Sequence, residues 1–382
     1  MNKLSGKIFI IAGENSGDLH GSNLAKNLLR EMPELQIYGL GGSQMEQAGV
    51  HLIHNIVDRL AIIGLFGVIV NAERIIRIYR KTRKWLKENK PDVLICIDYP
   101  GFNLRISQEA KRMGIKVVYY ICPQVWAWHK KRIYKIAKIV DKALVILPFE
   151  ERLYKEVGVD VEYVGHPLLD IMKLTMTREQ VIKKFGFNPE KKLIGLLPGS
   201  RKGEVETLLP IMLGAAERIH NELKDVEFVI PRAITINPLL VKSIISKFNV
   251  PVSVVDEYRY NVRSILDFAI NKSGTSTLET ALLTCPMVIV YKVSFITWLI
   301  AKNIINLPYI GLVNIVAGDM IVPELLQNEA TPMIVANRVI DLLKNKDELE
   351  NMRYELNKVK AKIGGPGASL KAARAIIEVL KK

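Results

Sequence analysis

The sequence predicts an α/β protein of two Rossmann-like domains, each a doubly wound parallel sheet, facing across a cleft. The chain has 382 residues, too many for one ordinary domain and suited to two. Short apolar runs rich in β-branched residues alternate with longer helical stretches, as in parallel sheets covered by helices on both faces. After Pro167 this alternation starts again. Two such domains in tandem usually bind their ligand in the cleft between them.

The individual elements follow from this alternation. Strands are predicted at 7–12, 35–40, 92–97, 116–121 and 142–147, then at 193–197, 226–230, 252–255, 268–270 and 287–291. The domains are placed at 1–168 and 169–363. A glycine-rich break precedes a last helix within 364–382, for which Ser369 is the predicted N-cap and packing against the N-terminal domain is expected.

Composition limits the class of protein. Hydrophobic residues make up 49% of the chain and charged residues 24%, which is enough for two full cores. The three cysteines, Cys96, Cys122 and Cys285, have no metal-ligand spacing, so we expect a reduced, cytoplasmic compartment and no metal site. The N-terminus is predicted to be a core strand rather than a signal peptide, and no apolar run reaches the roughly 18 residues of a spanning helix.

The net charge of +15 is concentrated in the first half of the chain. Residues 58–90 carry nine Lys and Arg against three acidic residues, and residues 129–142 carry six against one. An apolar stretch at 60–70 leads into a basic helix containing Arg74, Arg77, Arg80 and Lys84. This pattern favours a membrane-surface segment, with a core helix of solvated basic face as the alternative. Aromatic residues are only 7% and no nucleic-acid module is recognisable, so no nucleic-acid partner is predicted.

Two loops of the second domain indicate a nucleotide. Gly199, Ser200, Arg201 and Glu204 follow a strand and open a helix, where backbone N–H groups and a guanidinium suit a diphosphate. The loop Ser273, Gly274, Thr275, Ser276 and Thr277 follows another strand, and Glu279 is placed to accept from ribose hydroxyls. The alternatives are an ordinary turn for the first loop and, for the second, a capping box with Thr275 or Ser276 as cap.

The first domain offers a general base. Asp98 follows a buried strand, at the edge where parallel sheets bind ligands, although it can also merely fasten the turn. After the first strand, Glu14 and His20 face the cleft only if the turn projects them there. Ser16 or Asp18 is expected to cap the following helix. This turn lacks the three-glycine dinucleotide spacing, so no cofactor is predicted.

Three further side chains are candidates for the acceptor site. Trp126 and Trp128 lie beside a basic run, where they can stack on a sugar or sit at a bilayer interface; one core and one surface tryptophan is the alternative. His166 lies at the predicted hinge.

These motifs, taken in order, resemble one family. They are GENSGD (13–18), IDYPGFN (97–103), PQVWAW (123–128), YVGHPL (163–168), LPGSRKGE (197–204), KSGTSTLE (272–279) and VPELLQ (322–327). The chain resembles the lipid-A-disaccharide synthases, which are inverting glycosyltransferases of the two-domain GT-B architecture. It departs from their pattern at Cys122, Gln124, His129 and Lys272.

The resemblance implies a function. Family members join UDP-2,3-diacylglucosamine to 2,3-diacylglucosamine 1-phosphate (lipid X), form the β-1,6 disaccharide 1-phosphate of Gram-negative lipid A and release UDP. They act peripherally on the anionic cytoplasmic face of the inner membrane without an obligatory metal. The resemblance assigns the two loops, Glu279, Asn314 and Glu324 to UDP, and Asp98 to the base. The alternative function is that of a UDP-N-acetylglucosamine 2-epimerase-like enzyme. A homodimer is also possible.

Overall fold

The computed structural model describes residues 6–57, 72–127, 131–294, 298 and 307–381. The chain divides into two compact units: Met1–Ile171 with Gly365–Lys382 form the first, and Met172–Gly364 form the second. Trp128, His129 and the apolar stretch at 60–70 lie outside the described residues.

The first unit is built on a parallel sheet. Its described strands are β1 (Lys7–Ala12), β2 (Gln36–Gly41), β3 (His51–Asn55), β4 (Val93–Ile97), β5 (Lys116–Tyr120), β6 (Lys142–Val145) and β7 (Val161–Tyr163). Its described helices are α1 (Asn15–Glu31), α2 (Ser43–Gln47), α3 (Ala72–Asn89), α4 (Pro100–Arg112), α5 (Arg132–Ile139), α6 (Pro148–Lys155), α7 (Leu168–Ile171) and, at the end of the chain, α16 (Ala368–Lys381). The strands pair in the order β3-β2-β1-β4-β5-β6-β7, all parallel.

The second unit repeats this plan. Its described strands are β8 (Lys192–Leu197), β9 (Val226–Pro231), β10 (Val252–Val255), β11 (Phe268–Lys272), β12 (Met287–Tyr291) and β13 (Glu324–Leu326). Its described helices are α8 (Arg178–Phe185), α9 (Lys202–Glu222), α10 (Pro238–Ile245), α11 (Arg259–Ser264), α12 (Thr275–Leu282), α13 (Leu312–Ala317), α14 (Pro332–Lys344) and α15 (Lys346–Ile363). The strands pair in the order β10-β9-β8-β11-β12-β13, again all parallel.

All ten predicted strands are present, and the sequence pattern missed three. The missed strands β3, β7 and β13 each form an edge of a sheet. They are three to five residues long and largely half-buried, so they lack the continuous apolar run that marks a central parallel strand.

Strand β1 shows how the first sheet builds a core on each face. Phe9 and Ile11 point into one cluster and Ile8 and Ile10 into the other, as the two-residue period of a strand requires. Helix α16 contributes Ile376 and several alanines to the second cluster, together with α1. The end of the chain is therefore part of the N-terminal unit's core.

Helix α3 packs its apolar side on its own sheet. Trp85 contacts Phe9 and Tyr38 with ring centroids 4.7 and 5.0 Å away, and Leu86 is fully buried. The apolar side of this helix is therefore part of the core, as the core-helix alternative requires. The membrane-surface interpretation depends on the apolar stretch at 60–70, which lies outside the described residues, so it stays a prediction. Its basic side, including Arg77, remains exposed. Among the described residues, no helix is long and apolar enough to cross a membrane.

The cap of α16 comes from a residue far away in the sequence. The carboxylate of Asp170 accepts from the backbone N–H of Gly367 and, at 2.8 Å, from that of Ser369. The prediction that Ser369 itself is the N-cap is therefore wrong, because a loop that returns to the first unit brings a better acceptor to the same amides.

Replacing Asp170 by alanine is expected to lower the free energy of unfolding by about 1 to 2 kcal/mol, the usual cost of losing an N-cap acceptor. Urea denaturation followed by circular dichroism measures this loss. Asp225→Ala is the matched control, because the Asp225 carboxylate is exposed and forms a surface ion pair with Lys192 at 3.3 Å. Equal urea midpoints for the two variants would contradict the capping role.

Candidate functional site

Each sheet has one place where its strand order reverses. In the first unit this point lies between β1 and β4, where Ala12 is opposite Ile97. In the second it lies between β8 and β11, where Leu197 is opposite Asn271. Ligands of doubly wound sheets bind outside the carboxyl ends of the strands at such points. The four loops that begin there contain four of the seven sequence motifs: those at 13–18, 97–103, 197–204 and 272–279.

Asp98 lies at the switch point of the first sheet in an unusual backbone conformation. Asp98 and Tyr99 have φ of +43° and +46°, a left-handed region that costs non-glycine residues about 1 to 3 kcal/mol each. The residue keeps contact with solvent. Loss of hydration to the surrounding protein, and then the nearby Glu14 carboxylate, raise the pKa of Asp98 to about 6. A carboxylate with this pKa is suited to accept a proton near neutral pH.

The turn after β1 carries one exposed and one interior carboxylate. Glu14 and Ser16 are exposed, so both are accessible to a ligand. Asp18 is 1% exposed, and it accepts from the N–H groups of Gly42 and Met45 at 2.7 and 3.1 Å. Neither Ser16 nor Asp18 caps α1, so that prediction is wrong. Asp18 instead fixes the neighbouring β2–α2 turn, a long-range contact that a local pattern does not reveal.

His166 is buried and His20 half-buried in the first unit. His166 is 3% exposed, and its Nδ1 accepts from the N–H of Leu168 at 3.2 Å. Burial lowers the pKa of His20 to about 4. Burial, and then the charge of nearby His20, lower the pKa of His166 to about 3. Both imidazoles are therefore neutral at physiological pH. The burial of His166 argues against its direct contact with an acceptor.

Trp126 is anchored by a residue that the sequence analysis missed. Its indole Nε1 donates to Glu150 at 2.9 Å, and its ring meets Phe149 edge to face. Glu150 is 1% exposed and also accepts from the N–H of Leu147 at 3.1 Å. Burial raises the pKa of Glu150 to about 7 despite these donors. Glu150 is the third residue of a helix that begins with proline. A glutamate at this position is typical of a capping box, and this was the sequence signal for its structural role.

In the second unit, Glu204 joins the two loops at the switch point. Its carboxylate accepts from the N–H groups of Ser200 and Arg201 at 3.2 and 3.3 Å, and it lies 2.9 Å from Nζ of Lys272. Gly199 has φ of +114°, and a Cβ there would lie 2.3 Å from Glu204. Glu204 therefore holds the backbone of the loop by hydrogen bonds. Residue 199 must be glycine, because its backbone lies too close to the Glu204 side chain for a Cβ atom.

Arg201 differs from Glu204 in its exposure. Its side chain is 75% exposed, and its Nη1 lies 3.5 Å from the Glu204 carboxylate. The guanidinium has five N–H donors, so most of them remain available to an anion.

The hydroxyl groups of the second loop divide into two sets. Ser273 donates to the carbonyl of Ile310 at 2.8 Å and Thr277 to that of Gly274 at 2.7 Å, so both hold the loop together. Thr275 is exposed and Ser276 half-buried. The residue before helix α12 is Gly274, so the alternative interpretation of a capping box with Thr275 or Ser276 as cap does not hold. Thr275 is therefore accessible to a ligand, whereas the hydroxyl oxygen of Ser276 is buried.

Three residues predicted to contact UDP form hydrogen bonds to other groups of the second unit. Glu279 accepts from Arg263 and, at 3.3 Å, from the hydroxyl of Tyr260. Asn314 is fully buried and donates to Glu324 at 2.9 Å. Glu324 accepts from the N–H groups of 310 and 311, both at 2.9 Å. Asn314 also contacts the backbone of residues 321 and 322, so it supports the loop after α13, and its burial argues against a direct contact with a nucleotide.

The fold and its two switch points define a class first: a protein of the two-domain GT-B architecture. A UDP-N-acetylglucosamine 2-epimerase from Neisseria meningitidis, bound to UDP-GlcNAc, superposes with a TM-score of 0.62 at 12% identity over 99% of this chain and 100% of that one. A calicheamicin glycosyltransferase gives 0.64 at 14% identity over 99% of both chains. These similarities show the fold alone.

Sequence similarity identifies the family. A family model described as lipid-A-disaccharide synthetase matches residues 8–376. The lipid-A-disaccharide synthase of Syntrophus aciditrophicus is 42% identical over 376 residues, covering 98% of both proteins. That of Geobacter metallireducens is 40% identical over the same length and coverage. The chain belongs to the lipid-A-disaccharide synthase family and is a disaccharide-forming glycosyltransferase.

Proposed function

We propose that this chain transfers a 2,3-diacylglucosaminyl group from UDP to the 6-hydroxyl of 2,3-diacylglucosamine 1-phosphate. The products are UDP and the β-1,6-linked disaccharide 1-phosphate, with inversion at the anomeric carbon. The observation that carries the proposal within the structure is the carboxylate of Asp98, at the ligand-binding edge of the first sheet with a pKa of about 6.

The chemistry needs one base and one site that stabilises a leaving anion. Asp98 takes the proton from the 6-hydroxyl while that oxygen attacks the anomeric carbon and the bond to the UDP oxygen breaks. One positioned base is worth on the order of 100- to 10,000-fold in rate. The leaving UDP gains negative charge, which backbone N–H groups and Arg201 stabilise in the second unit.

The decisive assay supplies both diacylated glucosamine substrates in detergent micelles and measures the products by mass spectrometry. We expect one disaccharide and one UDP for each donor consumed. Incubation with UDP-N-acetylglucosamine alone tests the epimerase alternative, and we expect no ManNAc. Epimerisation without transfer would overturn the proposal.

The basic side of α3 supports a second part of the proposal, binding to the anionic cytoplasmic face of the inner membrane. Arg77, Arg80 and Lys84 are exposed along this helix, and Arg74 is half-buried. Each basic residue near an anionic lipid surface contributes about 1 kcal/mol. The attraction is electrostatic, because the apolar side of the helix is occupied by the protein core.

Reversing three of these charges tests membrane binding. Replacing Arg77, Arg80 and Lys84 by Glu is expected to weaken sedimentation with phosphatidylserine vesicles on the order of 100-fold. A matched control replaces Lys224, Lys242 and Lys247, three exposed lysines of the second unit, by Glu. Both variants change the net charge equally, so equal losses would show a nonspecific effect of charge and remove α3 from the proposal.

A further inference from the structure

The left-handed turn at Asp98 is held by two buried side chains. Nδ2 of Asn103 donates to the carbonyl oxygens of Ile97 and Asp98 at 3.2 and 2.7 Å. The hydroxyl of Tyr119 donates to the same Asp98 carbonyl at 2.7 Å. The side chains of Asn103 and Tyr119 are both fully buried. Three hydrogen bonds therefore fix the inner side of the turn, while Asp98 itself keeps its contact with solvent.

Asn103 and Tyr119 must both act as hydrogen-bond donors, because their partners in the turn are carbonyl oxygens. A flipped Asn103 amide would turn its oxygen toward two carbonyl oxygens, so the amide must present Nδ2. Burial raises the pKa of Tyr119 well above its ordinary value, so the phenol stays protonated and remains a donor. Tyr99 is accommodated because residue 13 is glycine: a Cβ there would lie 2.4 Å from the Tyr99 ring.

Neither donor acts on the carboxylate in these contacts. Both bind main-chain carbonyls, and strained backbone persists only where its surroundings enforce it. We propose that Asn103 and Tyr119 are positioning residues that enforce the left-handed Asp98–Tyr99 turn and thereby place the Asp98 carboxylate for the transfer reaction. This inference rests on the proposed role of Asp98 as the base.

The test removes the donors while preserving shape. Asn103→Leu is expected to lower kcat about 100-fold and Tyr119→Phe about 10-fold, because displacement of a catalytic group by about 1 Å costs on the order of 100-fold. The KM for the UDP-linked donor should stay within about twofold, since its predicted loops lie in the second unit. Ser107→Ala is the matched control. Ser107 is a buried polar residue of the same helix, 3.2 Å from Sγ of Cys96, and should keep wild-type kcat.

A double-mutant cycle separates positioning from a general structural role. In an Asp98→Asn background, Asn103→Leu should cause no further loss of kcat, because it acts through a carboxylate that is already absent. Losses that multiply would overturn the inference, and so would wild-type kcat in Asn103→Leu. If Asp98→Asn alone kept wild-type kcat, the base assignment would fail first, and the two failures are thus distinguishable. Circular dichroism of each variant checks that the fold is retained.

Discussion

Asp98→Asn is expected to lower kcat by about 100- to 10,000-fold while leaving the affinity for the UDP-linked donor unchanged. The amide keeps the size of the side chain but cannot accept the proton of the attacking hydroxyl, so the loss falls on the chemical step. Single-turnover formation of the disaccharide measures the rate, and calorimetric titration with UDP measures donor-side binding. Near wild-type turnover with normal UDP binding would show that another group is the base.

The pH dependence gives a second measure of the same group. Asp98 is active when deprotonated, so kcat/KM should fall tenfold per pH unit below its pKa of about 6. The Glu14 carboxylate raises this pKa, so Glu14→Gln should move the acid limb of the profile to lower pH. Glu156→Gln is the control, because Glu156 pairs with Arg152 at 2.9 Å on the surface of the same unit. A limb that moves equally in both variants would exclude Glu14 as the cause.

Arg201→Ala is expected to raise the KM for the UDP-linked donor about 10- to 100-fold. Hydrogen bonds to charged groups contribute about 1.5 to 3 kcal/mol, and the Arg201 side chain is largely exposed to solvent. A further decrease in kcat is expected if Arg201 also stabilises the departing diphosphate. Steady-state kinetics with the donor varied at saturating acceptor separates the two effects.

The adjacent lysine provides the control for Arg201. Lys202 is 76% exposed, close to the 75% of Arg201, and lies 3.6 Å from Glu206. Lys202→Ala removes the same charge one residue away and should leave the KM for the donor within about twofold. Equal effects of the two substitutions would point to long-range attraction of the donor rather than a specific contact.

The sequence by itself determined the central strands, the repeat of the sheet plan and the motifs at the carboxyl ends of the strands. These features are local: buried parallel strands need continuous apolar runs, and the glycine and polar residues that follow them mark the turns. Gly199 and Gly274 lie in the predicted loops after strands β8 and β11, where the structure gives them φ of +114° and +122°. Asp98 likewise lies where the order of strands predicts a ligand.

The tertiary structure decided which side chains are available to a ligand and which hold the loops. Asp18, Asp170 and Glu150 have carboxylates that accept from backbone or indole N–H groups up to 199 residues away in the sequence. Asn314 is likewise committed to a loop inside the second unit. A motif records the type of a residue but not its partners, because those partners are set by the packing of distant segments. For the same reason, only the structure shows that the apolar side of α3 packs on the sheet of its own unit.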